Sequence, residues 1–401
     1  MNQAIYIKNG TIATMGSAGM IDGGAVLLSD GKIKYVGIAE DMDLPVQDCQ
    51  WIDAAGGFVM PGIVDAHSHI GIFESGIGDA GVDGNETNDP ITPEMRGLDG
   101  IYPLDPEFVR AYQAGVTCVA TGPGSGNPIG GQFLAMKTKG RVMEEMVIKE
   151  PLAMKMAFGE NPKNIYGKNR TPATRMGVAA LIREALYKAA EYSGKKERAQ
   201  GNPDKLPPFD MKLEALLPVV KGELLVKAHA HRADDIMTAL RIAEEFGLNM
   251  TIEHCTEGHL IADELAWKNR IVILGPFTGF PHKNEVIHQD ESAAGILERA
   301  GVKVALMTDL PGMHEENLVV CAGICHRKGM SEEGALKAIT IQAAQAIGLG
   351  GRLGSLEAGK DADVAIFDKN PVKYLDAKCI CTIIGGRVVH QRNRGDAGAD
   401  R

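Results

Sequence analysis

The sequence predicts an α/β fold in which a long strand–helix alternation is bracketed by two short β-rich ends. Across residues 59–345, apolar runs of strand length alternate with segments of helical periodicity. Before and after that stretch the chain shows short β runs punctuated by glycine. Apolar residues make up 44% of the 401 and charged residues 23%, enough for a large core and too apolar for a disordered chain. The middle has the size of a (β/α)8 barrel, although spacing alone also allows an open doubly wound sheet.

At the N-terminal end, Ala4–Ile7, Thr11–Thr14, Ala25–Leu28 and Lys32–Val36 read as strands. Asp30-Gly31 between the last two is a hairpin turn, because glycine accepts positive φ without steric cost. In the middle, strands are expected at Val116–Ala120, Leu152–Phe158, Leu224–His229, Met250–His254, Ile271–Leu274 and Val302–Met307. Thr171-Pro172 reads as an N-cap and first helical position for a helix over Ala173–Tyr192, followed by a polar surface connection from Ser193 to Pro208. Ala233–Phe246 places Ile236, Leu240 and Ala243 at helical spacing and stops before Gly247, and Ser331 caps a helix opening with Glu332-Glu333. At the C-terminal end, Ala362–Phe367 and Cys379–Ile384 read as strands, and Gly385-Gly386 turns the chain into Arg387–His390. Neither end buries enough apolar surface alone, so the two are expected to pair into one small β domain.

Forty-two basic against 52 acidic side chains give a formal charge of -10 without a basic stripe, which disfavours nucleic acid and anionic membrane as partners. No apolar run reaches the ~18 residues of a membrane span, and the first residues lack a secretory pattern. The seven cysteines contain no CxxC pair, so neither a disulfide framework nor a thiolate zinc site is expected, and reduced thiols suit a cytoplasmic protein. The Gly122–Gly131 run lacks a P-loop ending and a dinucleotide fingerprint, and reads as a loop shaping a cavity mouth.

The chemistry starts at Ile63-Val64-Asp65-Ala66-His67-Ser68-His69, an apolar strand ending in His-x-His. Residues two apart share a strand face, so both imidazoles can point to one spot, where they suit zinc and related divalent ions. His229, His254 and Asp309 each follow an apolar run at a predicted strand end. In barrels those ends share one face. A buried aspartate also needs a cation or donors, so a metal site explains this pattern better than packing does.

With these residues in view, the chain resembles the metal-dependent amidohydrolase superfamily over nearly its whole length. The N-terminal mark is Gly57-Phe58-Val59-Met60-Pro61-Gly62-Ile63-Val64-Asp65-Ala66-His67-Ser68-His69, and the C-terminal mark runs from Gly354 to Val364. The segments Gly115–Thr117, Pro123–Gln132 and Phe158–Lys163 are similar to its imidazolonepropionase-like branch. The resemblance implies a (β/α)8 barrel at 59–345 and a composite β-sandwich from 1–58 and 346–401. It implies His67, His69 and Asp309 as ligands of one metal, and His229 and His254 as ligands of a second or as completing a single site. It also implies Lys155, when carbamylated, as a bridge on the fourth strand. Zinc is the expected metal, with iron or manganese as alternatives, and a homo-oligomer is compatible with the family.

The activity implied is hydrolysis of an amide, cyclic amide or dipeptide-like C–N bond of a small molecule by metal-activated hydroxide, with Asp309 as general base and then acid. Substrate contacts are expected from His231, two after His229, from Arg232 through a carboxylate, and from His259. The alternatives are a deaminase or a non-catalytic scaffold. Deaminating relatives usually carry a glutamate where Arg232 stands, and scaffold relatives typically lose the ligands that are intact here. His282, His288, His314 and His326 fall outside the pattern and are expected to be ordinary surface or loop residues.

Overall fold

A computed structural model describes residues 3–42, 46, 48–168, 170–277 and 283–392. The N-terminal stretch supplies β1 (Ile5–Ala13), β2 (Met20–Ser29), β3 (Lys32–Ile38), β4 (Gln50–Asp53) and β5 (Phe58–Pro61). The β2–β3 hairpin turns at Asp30 and Gly31, with φ of 53° and 72°, as the Asp-Gly pair predicts. The middle supplies β6 (Ile63–Ser68), β7 (Val116–Thr121), β8 (Ile129–Lys137), β9 (Val147–Ala157), β10 (Leu225–Ala230), β11 (Met250–His254), β12 (Ile271–Leu274) and β13 (Lys303–Leu306). The C-terminal stretch adds β14 (Val364–Phe367), β15 (Cys379–Ile384) and β16 (Arg387–Gln391).

The two ends do join. They form one eight-stranded sheet in the order β16-β15-β14-β5-β1-β2-β3, with β4 also paired to β1. The joint is the antiparallel pair β14–β5, where Ala365 faces Met60. The sheet forks because the first half of β1 pairs with β4 and its second half with β5, on either side of Asn9 at φ 59°. Ile5, Ile7, Ile12, Val26, Val59, Val364 and Ile383 close a core of their own on it.

The second sheet runs in the order β13-β12-β11-β10-β9-β8-β7-β6 and curls into a nearly closed barrel. Its seam lies between β13 and β6, where the Asp309 N–H donates to His67 O at 3.1 Å. The barrel, not the open sheet, is therefore the observed architecture, with one departure from eight parallel strands. β8 runs antiparallel to both β7 and β9. Residues 122–128 are too few for a crossover helix, which takes a dozen or more residues, so the chain can only turn back on itself. Gly130-Gly131 at the head of β8 hides this strand from a propensity reading.

The helix expected from Ala173 to Tyr192 is displaced and longer. It spans Arg175–Ala199, with Thr174 accepting from the Gly177 N–H. Ser193–Arg198, expected as a surface connection, is its last part. Lys195, Lys196, Glu197 and Arg198 are good helix formers, and Lys195 pairs with Glu191 one turn back at 2.8 Å. The helix Ala233–Phe246 ends at Gly247 with φ 65°, and Ser331 caps Glu332–Ala338, both as expected. Among the described residues no helix is long and apolar enough to cross a membrane.

Candidate metal centre

Strand alternation puts Asp65 and His67 of β6, and His69 just past its end, on one face, and Lys227 and His229 of β10 on another, all buried. His254 and Asp309 reach the same space differently. Each sits just where its strand ends with positive φ, 65° and 49°, so the chain bends and turns the side chain in. Backbone held in this sparsely populated region by non-glycine residues is typical of functional sites.

His67 is fully buried. Its Nε2 lies 3.0 Å from Lys155 Nζ and 3.5 Å from Asp309 Oδ1. Its Nδ1 is 2.8 Å from Glu253 Oε2, a close carboxylate contact rather than an aligned hydrogen bond. His69 Nδ1 donates to Gly122 O at 2.7 Å, and His254 Nδ1 to Gly275 O at 2.9 Å. A carbonyl only accepts, so the proton sits on Nδ1 in both rings and the Nε2 lone pairs are left free. Those Nε2 atoms face Asp309, His69 at 3.3 Å from Oδ1 and His254 at 3.9 Å from Oδ2. The glycine-rich loop thus orients His69, and Gly122 is required because a Cβ there would meet the Phe133 ring at 2.3 Å.

Two donor sets could hold a metal ion. One nitrogen or oxygen from each of His67, His69 and Asp309 lies within 4.8 Å of the others, and the same holds for His229, His231 and His254. The His229 Nδ1 is buried and has no hydrogen-bond partner among the described residues. Burial drives the His67 and His229 pKa values well below the ordinary range. Burial, helped by Lys283 and Lys155, lowers that of His254 to about 4 against the pull of Asp309. Burial alone would raise the Asp309 carboxyl, but His254, His69 and Lys155 outweigh it and hold it at about 2. Neutral imidazoles beside an ionised carboxylate are the protonation states a divalent cation needs, so the residues present fit one.

Lys155, on the fourth barrel strand, is fully buried against His67, and burial lowers its pKa to about 8. Sequence reasoning missed its neighbour Lys227, also buried, which donates to Ala66 O at 2.9 Å and pairs with Glu253 Oε2 at 2.9 Å. It missed Glu253 as well. The signal was there: a charged residue on an apolar strand, which singled out Lys155, applies equally to Lys227 and Glu253.

Beside these groups opens a cavity of about 590 Å³, lined by Asp309, His229, His231, His254 and an apolar wall that includes Leu274 and Phe277. His231 was expected at the substrate, and it does line this cavity, stacked on His254 with centroids 4.3 Å apart. Arg232 and His259 do not line it. Arg232 is half-buried at a helix start and paired through two nitrogens with Asp234, each at 3.0 Å. His259 is turned to Thr256 O at 3.1 Å. His288, His314 and His326 hydrogen-bond Glu257, Glu107 and Met330 O away from the centre, while His282 lies outside the described residues.

This geometry agrees with what the chain resembles. The Amidohydrolase family model matches residues 222–389. A crystal structure of an amidohydrolase from Thermotoga maritima MSB8 is 42% identical, with a TM-score of 0.92 over 97% of this chain and 100% of that one. The chain belongs to the amidohydrolase family. Amidohydrolase tasK of Hapsidospora irregularis is 31% identical over 87% of this chain, which spans only 38% of that protein. The imidazolonepropionase of Pseudomonas putida (strain GB-1) is 27% identical, over 88% of this chain and 90% of that enzyme. This amidohydrolase is thus an imidazolonepropionase-like member of its superfamily and a hydrolase acting on carbon–nitrogen bonds.

Proposed function

We propose that this amidohydrolase cleaves an amide, cyclic amide or dipeptide-like C–N bond in a small molecule, at a site built for one or two divalent cations, zinc before iron or manganese. The observation that carries this reading is the position of Asp309. Its Oδ1 faces His67 and His69, and its Oδ2 faces His254 of the second donor set.

A divalent cation at such a site polarises a carbonyl and lowers the pKa of water from ~15.7 to ~7. His67, His69 and Asp309 would hold one ion, and His229 and His254 a second or the remainder of a single site. Lys155, beside His67, would bridge two ions once its Nζ had added to CO2 and lost a proton. Asp309 takes the proton of the attacking water and returns it to the leaving nitrogen. His231, on the cavity wall, contacts the substrate. Phe133 packs against both His67 and His69, at 5.1 and 6.0 Å between ring centroids.

We further place the protein in the cytoplasm. Six of its seven thiols are buried, and none is paired with another as a disulfide.

The test is elemental analysis joined to an amide panel. At least one divalent ion per chain and release of amine with carboxylate are expected. Ammonia released from an aminated ring would favour the deaminase. A protein inert on every amide after loading with zinc, iron and manganese would overturn the reading.

A further inference from the structure

We infer that Lys283 docks an anionic group, in the first instance a carboxylate, on the substrate, so that this amidohydrolase selects negatively charged amides. The inference rests on the hydrolytic reading above and narrows its substrate class. Lys283 lines the same cavity as Asp309, His229 and His254, and among the described lining residues it is the sole lysine or arginine.

The side chain is 17% exposed and is held in place rather than free in solvent. Its Nζ donates to Asn161 Oδ1 at 3.1 Å and to Glu285 Oε1 at 2.7 Å. Both acceptors are themselves fixed. Asn161 Nδ2 donates to Ser125 Oγ at 2.8 Å, and Glu285 Oε2 accepts the Glu160 N–H at 2.9 Å. An ammonium has three N–H donors, so the contacts to described residues leave one for a ligand in the cavity. Because the stem is already ordered, a ligand anion pays little of the entropy cost of fixing a lysine. The apolar wall of Leu274, Phe277 and Val286 lines the same space and suits an aliphatic side chain on the same substrate.

The placement also explains what Arg232 does not do. The sequence offers Arg232 as the partner of a substrate carboxylate, but it lies off the cavity that Lys283 lines. Lys283, far from the His-x-His motif in sequence, takes that role.

The experiment measures binding rather than turnover. Calorimetry on the zinc-loaded full chain would compare N-methanesulfonyl-L-leucine with N-methanesulfonyl-L-leucinol, neither of which holds a carboxamide or ester bond to cleave. The free acid should bind roughly tenfold to hundredfold more tightly, the range of one charge-assisted hydrogen bond. Lys283→Met should abolish that preference, while Lys283→Arg should keep part of it. Absence of a preference in the native chain overturns the inference, as does a preference that survives Lys283→Met. The second result would mean that the carboxylate is bound elsewhere, for instance by the metal. If the preference tracks Lys283 but no amide is ever cleaved, the docking role stands and the hydrolytic reading falls. If amides are cleaved without charge discrimination, the hydrolytic reading stands and the docking role falls.

Discussion

The carboxylate of Asp65 grips Thr308 across the barrel seam, its Oδ2 accepting the backbone N–H at 3.0 Å and the hydroxyl at 2.6 Å. Its other oxygen takes the N–H of His67 at 2.9 Å. One buried group therefore fixes the strand end that carries His67 and the residue that precedes Asp309. Asp65→Ala would strand these donors, and each buried donor left unpaired costs about 1–3 kcal/mol. Urea unfolding should show a loss of at least that size, with less metal retained after dialysis. Thr308→Val, which removes only the hydroxyl, should cost about 1 kcal/mol. Unchanged stability and metal content in Asp65→Ala would mean that something else holds the seam.

Asp309→Asn tests the proton shuttle with little disturbance of the backbone. The residue sits at φ 49°, a region asparagine tolerates about as well as aspartate. The expected drop in kcat/KM is ~10²–10⁴-fold, the usual worth of a positioned acid–base group, with an unchanged circular dichroism spectrum. His67→Ala should fall at least as far. Arg232→Ala is the contrasting variant, because its side chain points to solvent and Asp234, and it should keep near-native turnover. A large loss there would return Arg232 to the site.

The strand–helix alternation and most of the donors were legible because both rest on local periodicity, whereas closure into a barrel was implied only by the family resemblance. An apolar strand announces itself by composition, and a histidine or aspartate at its end stands out against that background. The antiparallel β8 was not legible, because its direction is set by the shortness of the preceding loop and its first residues are glycines. Lys283 was not legible as a member of the site for a different reason: it lies in a loop after β12, so only tertiary packing brings it to Asn161. The barrel's seam likewise joins residues 65 and 308, a pairing no local pattern encodes.

The long helix Arg175–Ala199 gives a simple test of the corrected assignment. Gly194 lies inside it, and a Cβ there would meet only the flexible end of Arg198, at 3.1 Å. Alanine pays less backbone entropy than glycine in a helix interior, so Gly194→Ala should stabilise the protein by ~0.5–1 kcal/mol. A thermal melt would register this as a higher Tm. Were this stretch a loose surface connection, the substitution would leave Tm unmoved.

Acid stability should depend measurably on Asp361, which ties three distant segments together. It binds Lys32 Nζ at 2.8 Å at the start of β3, Lys137 Nζ at 3.0 Å at the end of β8, and Arg352 Nε at 2.8 Å. Burial would raise its carboxyl pKa, but Lys137, Lys32 and Arg352 outweigh burial and hold it at about 2. In the unfolded chain the same group titrates near ~3.9. The folded state therefore binds its proton less readily, and the stabilisation is complete above about pH 4 and drains away as pH falls towards 2. Asp361→Asn should be clearly less stable than the native chain at pH 7, and the gap should narrow between pH 4 and pH 2. Urea titrations of both proteins at pH 7, 4 and 3 measure that gap directly, and a gap independent of pH would contradict the ion-pair account. Lys137→Met should be costlier, about 3 kcal/mol or more, because Asp363, its second carboxylate partner, would then be buried without a cation.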